Sequence, residues 1–185
     1  MSKSFLNKIN VSPYITPEGH EHLSKELSYL WKIKRPQVTH AVAEAAAMGD
    51  RSENAEYIYG KKQLRQIDSR IRFLRKRLSE LIVVDRIPED TSIVFFGAWV
   101  EIADSEGNMY RYRIVGPDEF DADRGFISID SPMAKALLRM TEGEEVIVRR
   151  PDSTASFVVI SICYEKKGLT KVDKYHGTEK IRWQP

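Results

Sequence analysis

The sequence predicts an α+β protein: a long antiparallel helical hairpin, then a small antiparallel sheet domain with one short helix. Three observations predict it. Residues 17–83 repeat apolar side chains at helical spacing and carry no clear strand signal. After Val84 the pattern turns to short β-branched and aromatic runs. Between the two lies "DRIPEDTS", residues 85–92, whose proline, acids and hydroxyls read as a linker. The expected layout is an N-terminal extension over 1–14, a hairpin over 15–84 with its tip at 48–56, the linker, a domain over 93–165 and a basic tail over 166–185.

The first helix starts at Thr16, a good N-cap, followed by Pro17 at the first helical position and Glu18 in the first turn. Its apolar positions are Leu23, Leu27, Leu30 and Trp31, resuming at Val38, Val42 and Ala45. Pro36 lies inside this run and predicts a kink rather than an end. The second helix is more regular. Leu64, Ile67, Ile71, Leu74, Leu78 and Leu81 alternate spacings of three and four, an a/d seam of roughly two and a half heptads. Two helices with a short turn and one shared seam form an antiparallel coiled-coil hairpin, and about thirty helical residues reach roughly 45 Å.

In the second half, "VFFGAWVEIA", "MYRYRIVG" and "FISID" read as strands, with "DSEGN" at 104–108 as the first turn. Ser131 and Pro132 start a short helix through "MAKALLRM". "EEVIVRR" and "ASFVVISICYE" supply two further strands. Phe95, Phe96, Trp99 and Phe157 are expected to build the sheet core, and Cys163, in an apolar run, to be buried. The final stretch carries six Lys/Arg against two acids and reads as a tail.

Composition narrows the function classes. The chain has 185 residues, 30% of them charged, a net charge of +2 and a single cysteine. No internal disulfide is possible, no apolar run approaches the roughly 20 residues of a membrane span, and the N-terminus lacks a signal-peptide core. A cytoplasmic monomer with no membrane partner is expected. No phosphate loop, paired CxxC or nucleophile elbow is present, and His20 and His22, two apart on a helix, do not converge on one ligand.

The tip, "AAAMGDRSENAEY", gathers Asp50, Glu53 and Glu56. One reading is architectural: Gly49 ends the first helix, and Asp50 caps the second with Glu53 completing a capping-box-like pair. The other is chemical. Two carboxylates three apart at a helix start lie on one side of it and can share a hard cation such as Mg²⁺, which takes one or two protein carboxylates plus waters and phosphates. Such a pair is an incomplete site that can complete another protein's, and the two readings are compatible. Behind the tip, Lys61, Arg65, Arg72, Arg75 and Lys76 fall on one flank of the second helix. This is either a solvated face or a surface for nucleic acid or an acidic protein wall.

"LSYLWKIKRPQV", "GDRSENAEY", "KKQLRQIDSRIRFLRKRL", "VFFGAWVEI" and "ISIDSPMAKALL" together resemble the bacterial Gre transcript cleavage factors. The strings "YLW", "DRSENA" and "FFGAWVE" favour the GreB subtype. The likeness runs over about residues 14–165; the tail and a few residues before Pro13 lie beyond the usual family ends.

The resemblance implies a coiled coil that enters the secondary channel of bacterial RNA polymerase and a C-terminal FKBP-like domain that docks near the channel mouth. It implies a transcription elongation factor, in the DNA-associated machinery, that stimulates the polymerase's own cleavage of backtracked nascent RNA and has no complete active site itself. Asp50 and Glu53 match the family's two tip acids, implied to hold a second Mg²⁺ and position water. Ser52, Asn54 and Glu56 share the motif without an implied catalytic role. Lys61, Arg65, Arg72 and Lys76 match the face implied to meet the RNA 3′ segment. Two other classes stay open: a non-catalytic channel binder that inhibits polymerase, separated by a cleavage assay, and a peptidyl-prolyl isomerase, separated by an isomerisation assay.

Overall fold

The computed structural model describes residues 11–47, 54–149 and 154–164. The first helix, α1, spans Pro17–Tyr29, and the Thr16 hydroxyl accepts from the Gly19 amide at 3.1 Å, as its cap sequence predicts. Its continuation, α2, spans Arg35–Ala47, and α3 spans Ala55–Glu80. Between α1 and α2 lies one widened π-helical segment, Leu30–Lys34, closed by the Arg35 amide donating to the Leu30 carbonyl.

That segment corrects the expectation of a kink caused by Pro36 alone. The seam runs Leu23, Leu27, Leu30 on one side of the break and Val38, Val42, Ala45 on the other. Leu30 to Val38 is a step of eight where a heptad takes seven. A π turn absorbs one extra residue, so the seam keeps facing α3. Pro36 helps, because it has no N–H and its ring crowds the carbonyl four residues back. Trp31 is turned out of the seam as a result and is 47% exposed, contrary to its placement among the apolar positions.

On α3 the expected seam is the observed one. Ile67, Ile71 and Leu74 are buried, with Leu64, Leu78 and Leu81 packed against them. Each fully buried aliphatic side chain contributes roughly 1.5–3 kcal/mol. The N-cap of α3 is Asn54, whose Oδ1 accepts from the Tyr57 amide at 3.1 Å, so the cap assigned to Asp50 is corrected to Asn54.

Two short strands clamp the root of the hairpin: β1, Tyr14–Ile15, lies parallel to β2, Ile82–Val83. A two-residue strand is too short to show a period, which is why 17–83 reads as strand-free.

The second half holds β3, Trp99–Asp104; β4, Met109–Val115; β5, Phe126–Ser128; α4, Pro132–Leu137; β6, Glu145–Arg149; and β7, Thr154–Cys163. The sheet order is β5-β4-β3-β7-β6. The expected all-antiparallel sheet is corrected at one edge, where β4 and β5 run parallel. The chain leaves β4 through a short 3₁₀ turn, Pro117–Glu119, and returns before β5 starts, so it re-enters in the same direction. The core is Val94, Ala98, Val100, Ile102, Ile114, Val146, Val148, Phe157 and Val159, covered by Ala134 and Leu137 of α4.

Three further expectations change. The extended run foreseen from Val94 begins at Trp99, because Gly97 takes φ +87° and turns the chain. The short helix ends at Leu137, and Arg139 just beyond it adopts a left-handed φ of 71°. Phe95 and Cys163 are exposed, while Phe157 is buried as foreseen.

Candidate functional site

Asp50 and Glu53, with Gly49 and Ser52, lie outside the described residues. The frame that carries them is described on both sides. Asn54 sits where α3 begins, and its two side-chain polar atoms act on different helices. Nδ2 donates to the Ala45 carbonyl of α2 at 2.8 Å, while Oδ1 caps α3. One amide therefore ties the two helices together beside the turn. The helices also come close there. Ala45 is buried, and a Cβ on Gly60 would stand 2.6 Å from Val42 Cγ2, so only glycine permits this approach. α2 ends in the small residues Ala45, Ala46 and Ala47, and Glu56 is exposed in the first turn of α3.

Lys61, Arg65, Arg72 and Lys76 are all exposed on α3. Lys61 lies over the Tyr57 ring at 5.4 Å, and Lys76 stands 4.0 Å from Glu80. Arg65 and Arg72 form no ion pair among the described residues. Arg75, on the same flank, places its guanidinium 4.4 Å from the centre of the Trp31 ring. Arg35 Nε is fixed to Asp68 at 2.7 Å, and its guanidinium lies 5.8 Å from the same ring. The opposite flank is neutralised: Arg70 makes a two-pronged pair with Glu26 at 2.7 and 2.8 Å. The hydrogen bond from Arg70 holds the Glu26 carboxyl below its ordinary value. Lys61, Arg65, Arg72, Arg75 and Lys76 are thus exposed side chains of one helix, α3.

At the root the arm is bound to the sheet domain. Arg77 donates to Asp118 at 2.8 Å and to the Ser12 carbonyl at 2.7 Å. Glu119 takes the Thr16 amide at 2.9 Å and the Gly116 amide at 3.0 Å on one oxygen, and the Thr16 hydroxyl on the other. Asp130 accepts from the Ser12 amide at 2.9 Å. A Cβ on Gly116 would collide with the Tyr14 carbonyl, so this close passage also requires glycine. Sequence reasoning missed this junction and the double role of Asn54. Partners 41 to 118 positions apart leave no local spacing to read. The displaced Trp31 did leave a signal, the step of eight.

Two family models cover the chain in order: the N-terminal domain of transcription elongation factors over residues 13–83, and the C-terminal domain of GreA/GreB transcription elongation factors over 89–164. The transcription elongation factor GreB of Pseudomonas aeruginosa is 58% identical over 83% of this chain and 91% of its own length. That of Haemophilus ducreyi is 54% identical over 85% and 98%. A solved structure, GreA factor homolog 1 of Thermus thermophilus, is 25% identical over 81% of this chain and 97% of its own, with a TM-score of 0.36.

Proposed function

The chain belongs to the GreA/GreB family of transcription elongation factors, on its GreB branch. On that premise we propose that its arm enters the secondary channel of RNA polymerase and stimulates cleavage of backtracked nascent RNA. The observation that carries this reading is the tip motif "GDRSENAEY" at the end of a narrow helical arm whose two helices Asn54 ties together.

Asp50 and Glu53 offer hard oxygen donors, a set that suits Mg²⁺. They would hold the ion only inside the polymerase complex, where Mg²⁺ stabilises charge on the attacking and leaving oxygens of a phosphodiester. The chain's own residues do the positioning. Asn54 ties α2 to α3, and Lys61, Arg65, Arg72 and Lys76 attract the extruded RNA phosphates. The root fixes the direction of the arm. The chain is thus a cofactor of polymerase, and the catalytic centre it completes belongs to its partner.

The test is a purified elongation complex, stalled and backtracked, with labelled RNA. Adding the chain should raise the rate of internal RNA cleavage in a Mg²⁺-dependent manner. If saturating chain occupies polymerase but leaves cleavage at the rate of polymerase alone, the reading fails in favour of a channel-binding inhibitor.

A further inference from the structure

We propose that Trp31 is a stacking platform for a base of the extruded RNA strand, set into the basic flank by the π turn. This rests on the cleavage-factor reading and adds a residue with a defined chemistry to it.

Three observations converge. First, a large aromatic ring is 47% exposed in the middle of a helical arm, at a point where the chain departs from regular helix. The extra residue of the π turn is what moves Trp31 out of the apolar seam. Such turns occur frequently at functional sites. Second, the ring lies in a cationic setting, with Arg75 and Arg35 against it and Arg72 one turn from Arg75 on the same flank. An aromatic face among guanidiniums is how single-stranded nucleic acid is held: bases stack, and arginines take the phosphates. Third, the two arginines are held differently. Arg35 is anchored by Asp68, but Arg75 has no carboxylate among the described residues and rests on the ring alone. An exposed cation–π contact is weak, so Arg75 can swing to a phosphate and free the ring face for a base.

Phe73 provides the contrast. It is similarly exposed, at 49%, and lies beneath Arg70 at 5.2 Å, but Arg70 is already neutralised by Glu26. The arginine against Phe73 is therefore held by a carboxylate and is not free to take a phosphate, as Arg75 beside Trp31 is. An acidic protein wall would suit free arginines, but it gives no reason to expose an indole.

The position sets a length requirement. From Trp31 to Ala47 is about 24 Å of helix. A stacked strand advances about 3.4 Å per nucleotide, so RNA displaced from the tip reaches Trp31 after about seven nucleotides, or fewer if extended.

The experiment uses the full chain in a backtracked polymerase complex. 4-Thiouridine is placed at successive positions of the extruded RNA and activated with light. One position about four to seven nucleotides from the tip should crosslink to the peptide containing Trp31. Crosslinks confined to polymerase or to other peptides of the chain would overturn the platform. In parallel, cleavage is compared on long and two-nucleotide extruded segments. Trp31→Leu should lower the long-to-short rate ratio about fivefold or more, the lower end for a lost stack, and Trp31→Phe should restore most of it. An abasic nucleotide at the crosslinking position should produce the same loss in wild type and no further loss in Trp31→Leu. A ratio that falls in Trp31→Leu yet is indifferent to the abasic site would assign Trp31 to the channel wall and sink the proposal. Should the wild type stimulate no cleavage at all, the proposed function falls, while the crosslink still decides the platform.

Discussion

The guanidinium of Arg77 meets the carboxylate of Asp118 at 2.8 Å where the arm joins the sheet domain, and the two side chains are only 12% and 14% exposed. A pair this sheltered is costly to break on one side, since the remaining charge is left without compensation. Arg77→Ala should lower unfolding stability by about 3 kcal/mol, measured by urea denaturation of the full chain. Asp118→Ala should cost a similar amount, and the double variant clearly less than the sum. Additive losses would show that the two residues act independently.

The tip invites two substitutions of different kind. Asp50→Asn keeps the shape of the side chain but loses the charge that binds a cation. Cleavage stimulation should collapse while polymerase binding persists, and Glu53→Gln should behave alike. Asn54→Ala removes no carboxylate, but it deletes the cap of α3 and the bond to Ala45. It should cost about 1 kcal/mol of stability and reduce cleavage partially. Full activity in Asp50→Asn would refute the assignment of the metal role to that residue.

Neutralising Arg65, Arg72 and Lys76 together should leave helix content unchanged, because all three are exposed and off the seam. The rate on long extruded RNA should fall and its dependence on salt should weaken, since fewer phosphates are neutralised. A steeper salt dependence would be the contrary result.

Acid titration should report the Glu26–Arg70 pair. The hydrogen bond from Arg70 lowers the Glu26 carboxyl from its ordinary value of 4.5. A depressed carboxyl contributes its full stability above the unfolded value and loses it as pH falls through the lower folded value. Wild type should therefore lose stability below about pH 4.5 more steeply than Glu26→Gln, by at most about 1 kcal/mol for a partly exposed pair. Parallel curves in that range would discount the pair.

The hairpin was legible because its information is local. Spacings of three and four located Ile67, Ile71 and Leu74, and Thr16 and Pro17 marked a helix start. The sheet domain was legible as strands but not as topology. Nothing in "FISID" says that it lies parallel to β4, because that depends on the path of the chain between Gly116 and Gly125. At the tip, residue type and spacing pointed to Asp50 as the cap of the second helix, whereas the cap of α3 is Asn54. What decides is which residue reaches back to Ala45, a contact between helices. Nothing local marks Arg77, since its acid lies 41 positions away.

The bonded root also has a mechanical meaning. An arm anchored at one end magnifies any angular play at that end in proportion to its length. With 26 residues, α3 reaches about 39 Å, so a swing of about two degrees about Arg77 and Thr16 would carry the far end roughly 1.4 Å sideways. Misplacement on the order of 1 Å is enough to cost about a hundredfold in a reaction that depends on alignment. The Ser12, Thr16, Arg77 and Glu119 bonds thus act as the bearing of a lever, and on the proposed cleavage reading the accuracy with which Asp50 and Glu53 would be presented depends on this hinge line as well as on the tip.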